Sequence, residues 1–488
     1  MPKLDTVNTQ YAKHMGQWKR CRDMIEGQDA IYAAGERYLP RLKGQTIEEY
    51  TVYMHRATVF GASGRTLEAL SGMVFSTAPR ITVPAAMQDW LKDIALDGTS
   101  IYNLANHVVE ELLAVGRLGL IVEHPDSATD AITIGQAEAL NLRPYIRTYN
   151  AESIVDWRLG TVNGATDYTM IRLMESVEVP GANEFESSTV EQCRVLDLFE
   201  GRYRVRLYRR DPNKKDEWVQ LGEDSFPLSR NQPIPYIPFC IINAGEVCAD
   251  VSKPPMLDLV NQNIAHYRNT ADFEHGLHFT GLPTPVVSGV QLEPNQSLSI
   301  GSTTAWVFPD PQAKAEFLEF TGVGLKSLSD ELKAKEHRMA VLGARMLEES
   351  KRSAESTETT MIKYAGEHAT LGSIAKVASE GLEIALRYAA QWAGIGGEIT
   401  VSLNSEFGAQ RLSPQELTAL VAAWQSGAIS KQTLFENLQT GKIIADGTLF
   451  EDEQARLDTS APEFAQGGDL GDDERAGVLQ RIRDRLGV

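Results

Sequence analysis

The residues best suited to chemistry form one short group of histidines and carboxylates: His266, Asp272, Glu274, His275 and His278. His275 and His278 are three residues apart, so a helix would place them on one face, as metal ligands require. Asp272, Glu274 and His275 point in different directions around that helix, and no HExxH pattern completes a zinc site. We interpret the group as polar residues of a packed, partly solvated helix, with a metal site as the alternative. No metal is expected.

Other catalytic signatures are missing from the sequence. The pair Gly441-Lys442 is not followed by Ser or Thr, and no glycine stands five residues before Gly441, so there is no phosphate-binding loop for ATP. The segment Gly61–Gly64 resembles half of a nucleophile elbow but lacks the GxSxG spacing. We therefore expect a protein that is not an enzyme and that needs no cofactor. A hydrolase with an unrecognised site is the alternative in the enzyme class.

The composition is that of a folded protein. The chain has 488 residues, 42% of them hydrophobic and 23% charged, which suits about two to four domains. It contains no run of 18 or more apolar residues and no apolar segment near its start. We therefore expect no membrane span and no secretory signal. The cysteines stand far apart and are expected to be reduced thiols. They are Cys21, Cys193, Cys240 and Cys248.

The net charge of −19 limits the kinds of partner. Acidic residues outnumber basic ones by 66 to 47, whereas proteins that grip nucleic acid usually carry a basic patch. Tight, sequence-specific DNA binding is therefore not expected. Loose passage of DNA through an acidic, weakly repelling bore is compatible with this charge.

The first half of the chain is predicted to change from helix to strand. Its N-terminal part is mostly helical, with one helix expected over Glu48–Leu70, and residues 140–240 have β character. Within the β-rich part, Arg202, Arg204 and Arg206 alternate with apolar residues and share one face of a strand. We interpret that face as solvated or in contact with another subunit, with phosphate binding as the alternative.

Two long helices are predicted in the second half. Their apolar residues recur at steps of three, four or seven, which predicts a helix of ~40 Å over Gly322–Glu348 and one of ~55 Å over 357–393. Helices of this length need a long partner surface, which a ring of identical subunits offers. A large helical bundle inside one monomer is the alternative. The stripes are Leu325, Leu328, Leu332, Met339, Leu342 and Met346, and Tyr364, Leu371, Ala375, Ala378, Leu382, Ala385, Ala389 and Trp392.

The opposite face of the first of these helices is charged. Lys326, Asp330, Lys333 and His337 follow one another at steps of four, three and four, so they lie close together on the helix surface. This face is either a plain solvated surface or, in a ring, the lining of a water-filled bore.

Several short segments resemble, in their order and spacing, those of the portal proteins of tailed bacteriophages, in the group that carries a domain label of unknown function. The resemblance covers nearly the whole chain. The segments are Tyr38-Leu39-Pro40, Arg56-Ala57, Leu70–Phe75 with Pro79, Gly116–Gly119, Arg143–Tyr145, Pro254–Leu259, Asn263–Arg268 and Leu342–Met346.

The resemblance implies an α+β, portal-type ring subunit. A wing would comprise residues 1–250, helical at first and β-rich over about 140–240. The other segments would be a first stem helix at 254–281, a β-containing clip at 282–321, a second stem helix at 322–348, a tunnel loop at 349–356, a long wing and channel helix at 357–394, and a helical crown with an acidic tail at 398–488.

The resemblance also implies a function. A ring of roughly twelve subunits would conduct double-stranded DNA, without sequence specificity, through one capsid vertex during packaging and ejection. Implied partners are the terminase large subunit, a head–tail adaptor, and the major capsid and scaffold proteins, with no membrane. The implied location is the virion, after assembly in the host cytoplasm. Another head–tail connector or adaptor ring is the alternative.

The resemblance implies two groups of site residues. The channel-lining residues would be Lys326, Asp330, Lys333, His337, Glu348, Glu349, Ser350, Lys351 and Arg352. The clip residues that dock terminase would be Pro285, Val287, Gly289, Gln291, Asn295 and Trp306.

Overall fold

The fold, given by a computed structural model, is a mixture of helices and strands. The chain divides into two compact units, Met1–Phe407 and Gly408–Val488. Within the described ranges, no helix is both long and apolar enough to cross a bilayer. The structure describes residues 4–125, 140–162, 164–181, 183, 185–211, 214–281, 284–289, 310–318, 322–344, 357–405, 414–440, 443–444 and 448–459.

The elements follow the predicted order, helical at first, β-rich in the middle and helical again. The α-helices are α1 (Thr9–Glu26), α2 (Gln28–Ala34), α3 (Ile47–Arg56), α4 (Ala62–Val74), α5 (Ile101–Ala114), α6 (Leu257–Gly281), α7 (Val323–Met339), α8 (Thr357–Ala393), α9 (Pro414–Gln425), α10 (Lys431–Thr440) and α11 (Phe450–Thr459). The strands are β1 (Arg80–Thr82), β2 (Arg117–Glu123), β3 (Tyr145–Asn150), β4 (Ile154–Val162), β5 (Ala165–Pro180), β6 (Ser187–Phe199), β7 (Arg202–Asp211), β8 (Lys214–Ser225), β9 (Leu228–Ser229), β10 (Gln232–Pro233), β11 (Phe239–Asn243), β12 (Thr284–Ser288), β13 (Lys314–Leu318) and β14 (Thr400–Ser402).

The main core of the first unit is built around a three-stranded antiparallel sheet of order β11-β2-β3. Strand β2 is buried along nearly its whole length, as the apolar run Leu118–Val122 predicts. Helices α5 and α8 pack against this sheet and complete the core. Gly119 of β2 lies directly against the ring of Phe239 on β11, so that a Cβ on Gly119 would collide with this ring. Only glycine fits at that position.

Helix α8 finds much of its partner surface inside its own chain. From Leu371 to Trp392, most of its side chains are buried, and they pack against α5, β2 and β11. A Cβ on Gly381 would collide with the buried side chain of Ile242. The apolar stripe predicted for this helix is confirmed from Leu371 onward. The expectation that it needs a neighbouring subunit is wrong for this half, because the core sheet covers it.

The predicted helix over Glu48–Leu70 is wrong, because the chain forms two helices there, α3 and α4. The backbone is extended at Ala57, where α3 ends. The side-chain amide of Gln28 hydrogen-bonds the backbone at the break between the two helices. Its Nε2 donates to the carbonyl of Ala57 at 3.1 Å, and its Oε1 accepts from the N–H of Val59 at 2.7 Å. A side chain distant in sequence thus ends the helix.

A five-stranded antiparallel sheet, in the sequence order β4 to β8, forms the β-rich middle. The pairing of β5 with β6 continues to Pro180 opposite Ser187. Strand β4 pairs with β5 only as far as Leu173, and β7 pairs with β6 only from Gln192. The end of the β5–β6 hairpin, residues 176–191, therefore runs past both neighbouring strands. We call this segment the hairpin extension.

The three arginines predicted to share a face of β7 are each paired with an acid, and Arg202 pairs with Glu200 at 3.1 Å. Arg204 pairs with Asp197 and Asp224, each at 2.8 Å, and Arg206 pairs with Asp197 at 2.5 Å. The side chains of Arg204 and Arg206 are half-buried. The phosphate-binding alternative for this face therefore loses its support, because the positive charges are already compensated.

The second unit is helical where it is described. Phe435 of α10 and Phe450 of α11 meet edge to face, with ring centroids 5.4 Å apart. Strand β14 belongs instead to the first unit, where it pairs with β1. The crown predicted over 398–488 is thus divided between the two units, and the acidic tail beyond Thr459 lies outside the described residues.

A buried ionic network joins the three-stranded and five-stranded sheets. Glu175 on β5, with 4% of its side chain exposed, accepts hydrogen bonds from Arg194 at 2.8 Å, from Gln192 at 2.7 Å and from the hydroxyl of Tyr149. Arg194 also pairs with Glu123 on β2 at 2.9 Å. Burial opposes ionisation of Glu175, but Arg194 and these hydrogen bonds outweigh it, so the pKa of Glu175 is lowered.

We expect Glu175→Gln to lower the free energy of unfolding of the first unit by about 3 kcal/mol, because Arg194 loses a buried partner. The free energy of unfolding of the variant should also fall less at acidic pH than that of the wild type. The folded pKa of Glu175 lies below its unfolded value of ~4.3, so its stabilising contribution is complete above that pH and is lost as the pH falls through the folded pKa.

Urea unfolding at neutral and acidic pH measures both effects. Glu178→Gln is the matched control, because Glu178 lies on the same strand but is exposed on the hairpin extension. It should change stability by less than ~0.5 kcal/mol. Equal losses in the two variants would contradict the role given to the buried network.

Candidate functional site

Helices α6 and α7 lie antiparallel and are connected through the hairpin of β12 and β13. Near one end, Nζ of Lys335 donates to the carbonyl of Ala265 at 3.0 Å. Near the other end, the helices approach so closely that a Cβ on Gly276 would lie 2.6 Å from Cδ2 of Leu325. The two helices therefore stay side by side from the body of the first unit to the hairpin.

Only the inner halves of these helices are anchored in the body. Helix α6 contributes to an apolar cluster with α1 to α4 as far as Ala271, and none of residues 272–281 is buried. In α7, burial begins at Leu332, and none of residues 323–331 is buried. We call the two outer halves, together with β12 and β13, the arm.

The helix predicted over Gly322–Glu348 is interrupted before the end of that span. Helix α7 ends at Met339 and passes into a wider π-helical turn over Ala340–Ala344. Gly343 leaves helical geometry there, with φ of 138°, and lies against Thr66 of α4. Such a φ favours glycine, because any side chain would be strained.

Helix α3 braces one side of the arm through the group of residues that first suggested a metal site. The hydroxyl of Tyr53 donates to the carboxylate of Asp272 at 2.5 Å, and the guanidinium of Arg56 lies 3.0 Å from Nε2 of His278. The rings of Tyr53 and His275 meet edge to face with centroids 5.2 Å apart. Asp272, His275 and His278 thus pack α6 against α3, whereas His266 faces Glu336 of α7. No three potential ligands in the described part of the chain are placed to hold a metal ion.

The two histidines at the base and side of the arm favour their neutral forms. Burial lowers the pKa of His275, and the nearby charges of Arg56 and His278 lower it further. Burial also lowers the pKa of His266, although Glu336, 3.3 Å away, opposes this shift. His266 and His275 therefore contribute little positive charge near neutral pH.

The predicted channel face of α7 is exposed in the single chain. Lys326, Asp330, Lys333 and His337 all lie in solvent, on the side away from the buried Leu332. Their role as channel lining stays a prediction. The other channel residues, Glu348, Glu349, Ser350, Lys351 and Arg352, lie outside the described residues, as does the tunnel loop.

The hairpin at the end of the arm contains three of the predicted clip residues. Pro285 lies in β12 opposite Phe317 of β13, and proline is compatible with a strand that has a free edge. Val287 is half-buried in β12. Gly289 has φ of 77°, which favours glycine. The remaining clip residues, Gln291, Asn295 and Trp306, lie outside the described residues, and a docking role for the group stays a prediction.

Local sequence patterns contain almost no signal for the bracing residues of α3. Tyr53 and Asp272 are separated by 219 positions, so no local spacing connects them. The only local sign is that Tyr50 and Tyr53, three residues apart, share the buried face of α3.

Comparison with known proteins gives a limited match. The model of a family described as a domain of unknown function (DUF4055) matches residues 255–393, which include both arm helices, their hairpin and α8. No curated protein sequence matches the chain. Two of the solved structures that match it do so weakly, at 11% and 12% identity and TM-scores of 0.36 and 0.37.

Both structures are titled as necks of GTA particles. The first is the neck of a native particle computed with C12 symmetry; the match covers 84% of this chain and 97% of that one. The second is the neck of an empty particle computed with C6 symmetry, with 83% and 96% covered. TM-scores this low carry no conclusion about a shared fold.

We expect Gly276→Val to separate the arm helices and to cost about 1–3 kcal/mol of stability, because a branched side chain overfills the contact with Leu325. Gly324→Val is the matched control, because a Cβ on Gly324 meets no atom within 4 Å. It should change stability by less than ~0.5 kcal/mol. Thermal unfolding of both variants measures the difference, and equal melting temperatures would refute the close approach.

Proposed function

We propose that the protein is the subunit of a phage portal, a ring that conducts double-stranded DNA through one vertex of a capsid. The arm is the observation that carries the proposal. Its two helices cover only one side of each other, and Leu277, Phe279 and Val323 remain 41%, 52% and 80% exposed. An interaction surface at the outer end of the arm would account for this exposure. Neighbouring copies in a closed ring would cover them.

The charged face of α7 would line the bore of this ring. Asp330 stands between Lys326 and Lys333, so the face offers no continuous basic stripe to the phosphates. A strongly basic bore would hold DNA, because each neutralised phosphate adds to affinity. A face of mixed sign steadies the duplex weakly and without base recognition, because phosphate contacts carry no sequence information. DNA can then slide.

The hairpin of the arm would dock the terminase large subunit during packaging and a head–tail adaptor afterwards. The body of the subunit would meet the major capsid and scaffold proteins. The chain would do no covalent chemistry, and the motor ATPase would be a separate protein. A different connector or adaptor ring is the alternative, and it would join the particle only after the DNA is packaged.

We expect the purified protein to form closed rings that native mass spectrometry resolves. Phe279→Glu should shift the population toward monomers by at least tenfold, because a charge replaces an apolar contact between copies. Leu159→Glu is the control, because Leu159 is similarly exposed, at 50%, but lies on the five-stranded sheet. A wild-type protein that stays monomeric at micromolar concentration would overturn the proposal.

We expect the ring to bind duplex DNA weakly, with strong salt dependence and no sequence preference. Asp330→Lys should tighten binding several-fold and steepen the salt dependence, because it makes the predicted bore face continuously basic. Glu48→Lys adds the same charge on the exposed face of α3 and should have a smaller effect. Titration with duplexes of unrelated sequence at two salt concentrations measures the DNA affinity of each variant. Equal effects of the two variants would contradict the placement of α7 in the bore.

A further inference from the structure

The contact between helix α3 and the arm contains a hydrogen bond that requires a neutral histidine. Nη2 of Arg56 lies 3.0 Å from Nε2 of His278. A guanidinium has only N–H donors, so Nε2 of His278 must be the acceptor. An imidazole nitrogen accepts a hydrogen bond only when it carries no proton, so the ring is neutral, with its one proton on Nδ1. The geometry of the contact therefore fixes the protonation state of His278.

A proton on His278 would turn this attraction into a repulsion. Both nitrogens of the ring would then be donors, and the contact with Arg56 would have no acceptor. The ring would also become a second positive charge beside the guanidinium. Both side chains are half-buried, so water screens this repulsion less than it would on an open surface.

The neighbouring His275 responds to acid in the same direction. Its buried Nδ1 has no hydrogen-bond partner in the described part of the chain. Burial lowers the pKa of His275, Arg56 and His278 lower it further, and the opposing effect of Asp272 is outweighed. The folded pKa thus lies below the ~6.5 that is usual for histidine. A released ring therefore takes up its proton first, and the packed arrangement loses stability as the pH falls through that value.

The other elements around these two rings supply no further acid among the contacts described. Helix α7 approaches α6 here through the uncharged side chain of Leu325, which lies against Gly276. Within α6, the ring of Phe279 lies against both imidazoles, with centroids 4.7 Å and 5.6 Å away. His266 differs, because it faces the carboxylate of Glu336 at 3.3 Å. Protonation would strengthen that contact at the base of the arm and weaken only the contact with α3.

We propose that the contact between α3 and the arm is pH-sensitive: it is closed while His275 and His278 are neutral, and their protonation opens it. On opening, the outer half of α6 would lose α3 and keep only α7 beside it. The inner half would stay anchored in the apolar cluster of the body. The inference concerns a single subunit and is independent of the proposed ring.

Hydrogen–deuterium exchange of the purified full-length protein measures the opening. After correction for the intrinsic effect of pH on exchange, exchange of α3 should rise at least about fivefold from about pH 7.5 to about pH 5.5. Strand β2, in the core, should stay protected, and the change should reverse at neutral pH. Equal protection of α3 at both pH values would overturn the inference. A parallel loss of protection in β2 would do the same, because it would mean that the whole unit unfolds.

Substitutions at the two histidines separate this contact from other effects of acid. His275→Phe combined with His278→Gln keeps an aromatic ring beside Tyr53 and an acceptor for Arg56, but neither side chain titrates. The acid-induced exchange of α3 should therefore disappear. His278→Lys places a permanent cation beside Arg56, so α3 should exchange at about pH 7.5 as fast as the wild type does at about pH 5.5.

His337→Gln is the control, because it removes an exposed histidine of α7. It should leave the acid-induced exchange of α3 unchanged, and its loss in this variant would assign the effect to another histidine. Undiminished acid-induced exchange in the double variant, or full protection of α3 at neutral pH in His278→Lys, would likewise overturn the inference.

Discussion

The anchoring of helix α6 by its first half is the constraint on which the rest of the arm depends. Leu257, Val260 and Ile264 are buried among helices α1 to α4, so the body fixes the direction in which the helix leaves it. Strands β12 and β13 pair beyond the end of α6, and α7 returns along the same line. The apolar stripe of α7 packs on α6, because the contact at Gly276 leaves no space between the two helices. Its charged face is consequently turned outward.

Periodicity predicted several elements and the faces they bury, but it merged α3 with α4, and Leu342 of the stripe predicted for Gly322–Glu348 is 47% exposed. The stripe of α7 and the buried strand β2 both follow from local spacing, because each needs only one apolar partner surface. The positions of helix ends were not predictable in this way. The amide of Gln28 ends α3 from a distant part of the sequence, and the break at Gly343 reflects packing on α4. The brace between Tyr53 and Asp272 likewise has no local signal.

The length of a helix alone did not indicate whether its packing partner lies in its own chain or in a neighbouring copy. Helix α8 is the longest, yet its half from Leu371 to Trp392 is covered by the sheet and α5 of its own chain. The shorter α7 has a single helix beside its outer half. In the proposed ring, neighbouring copies would therefore cover the arm, where Phe279 and Val323 are exposed, and not the half of α8 from Leu371 to Trp392. Exposed apolar surface in the folded chain, which periodicity cannot measure, is the better criterion.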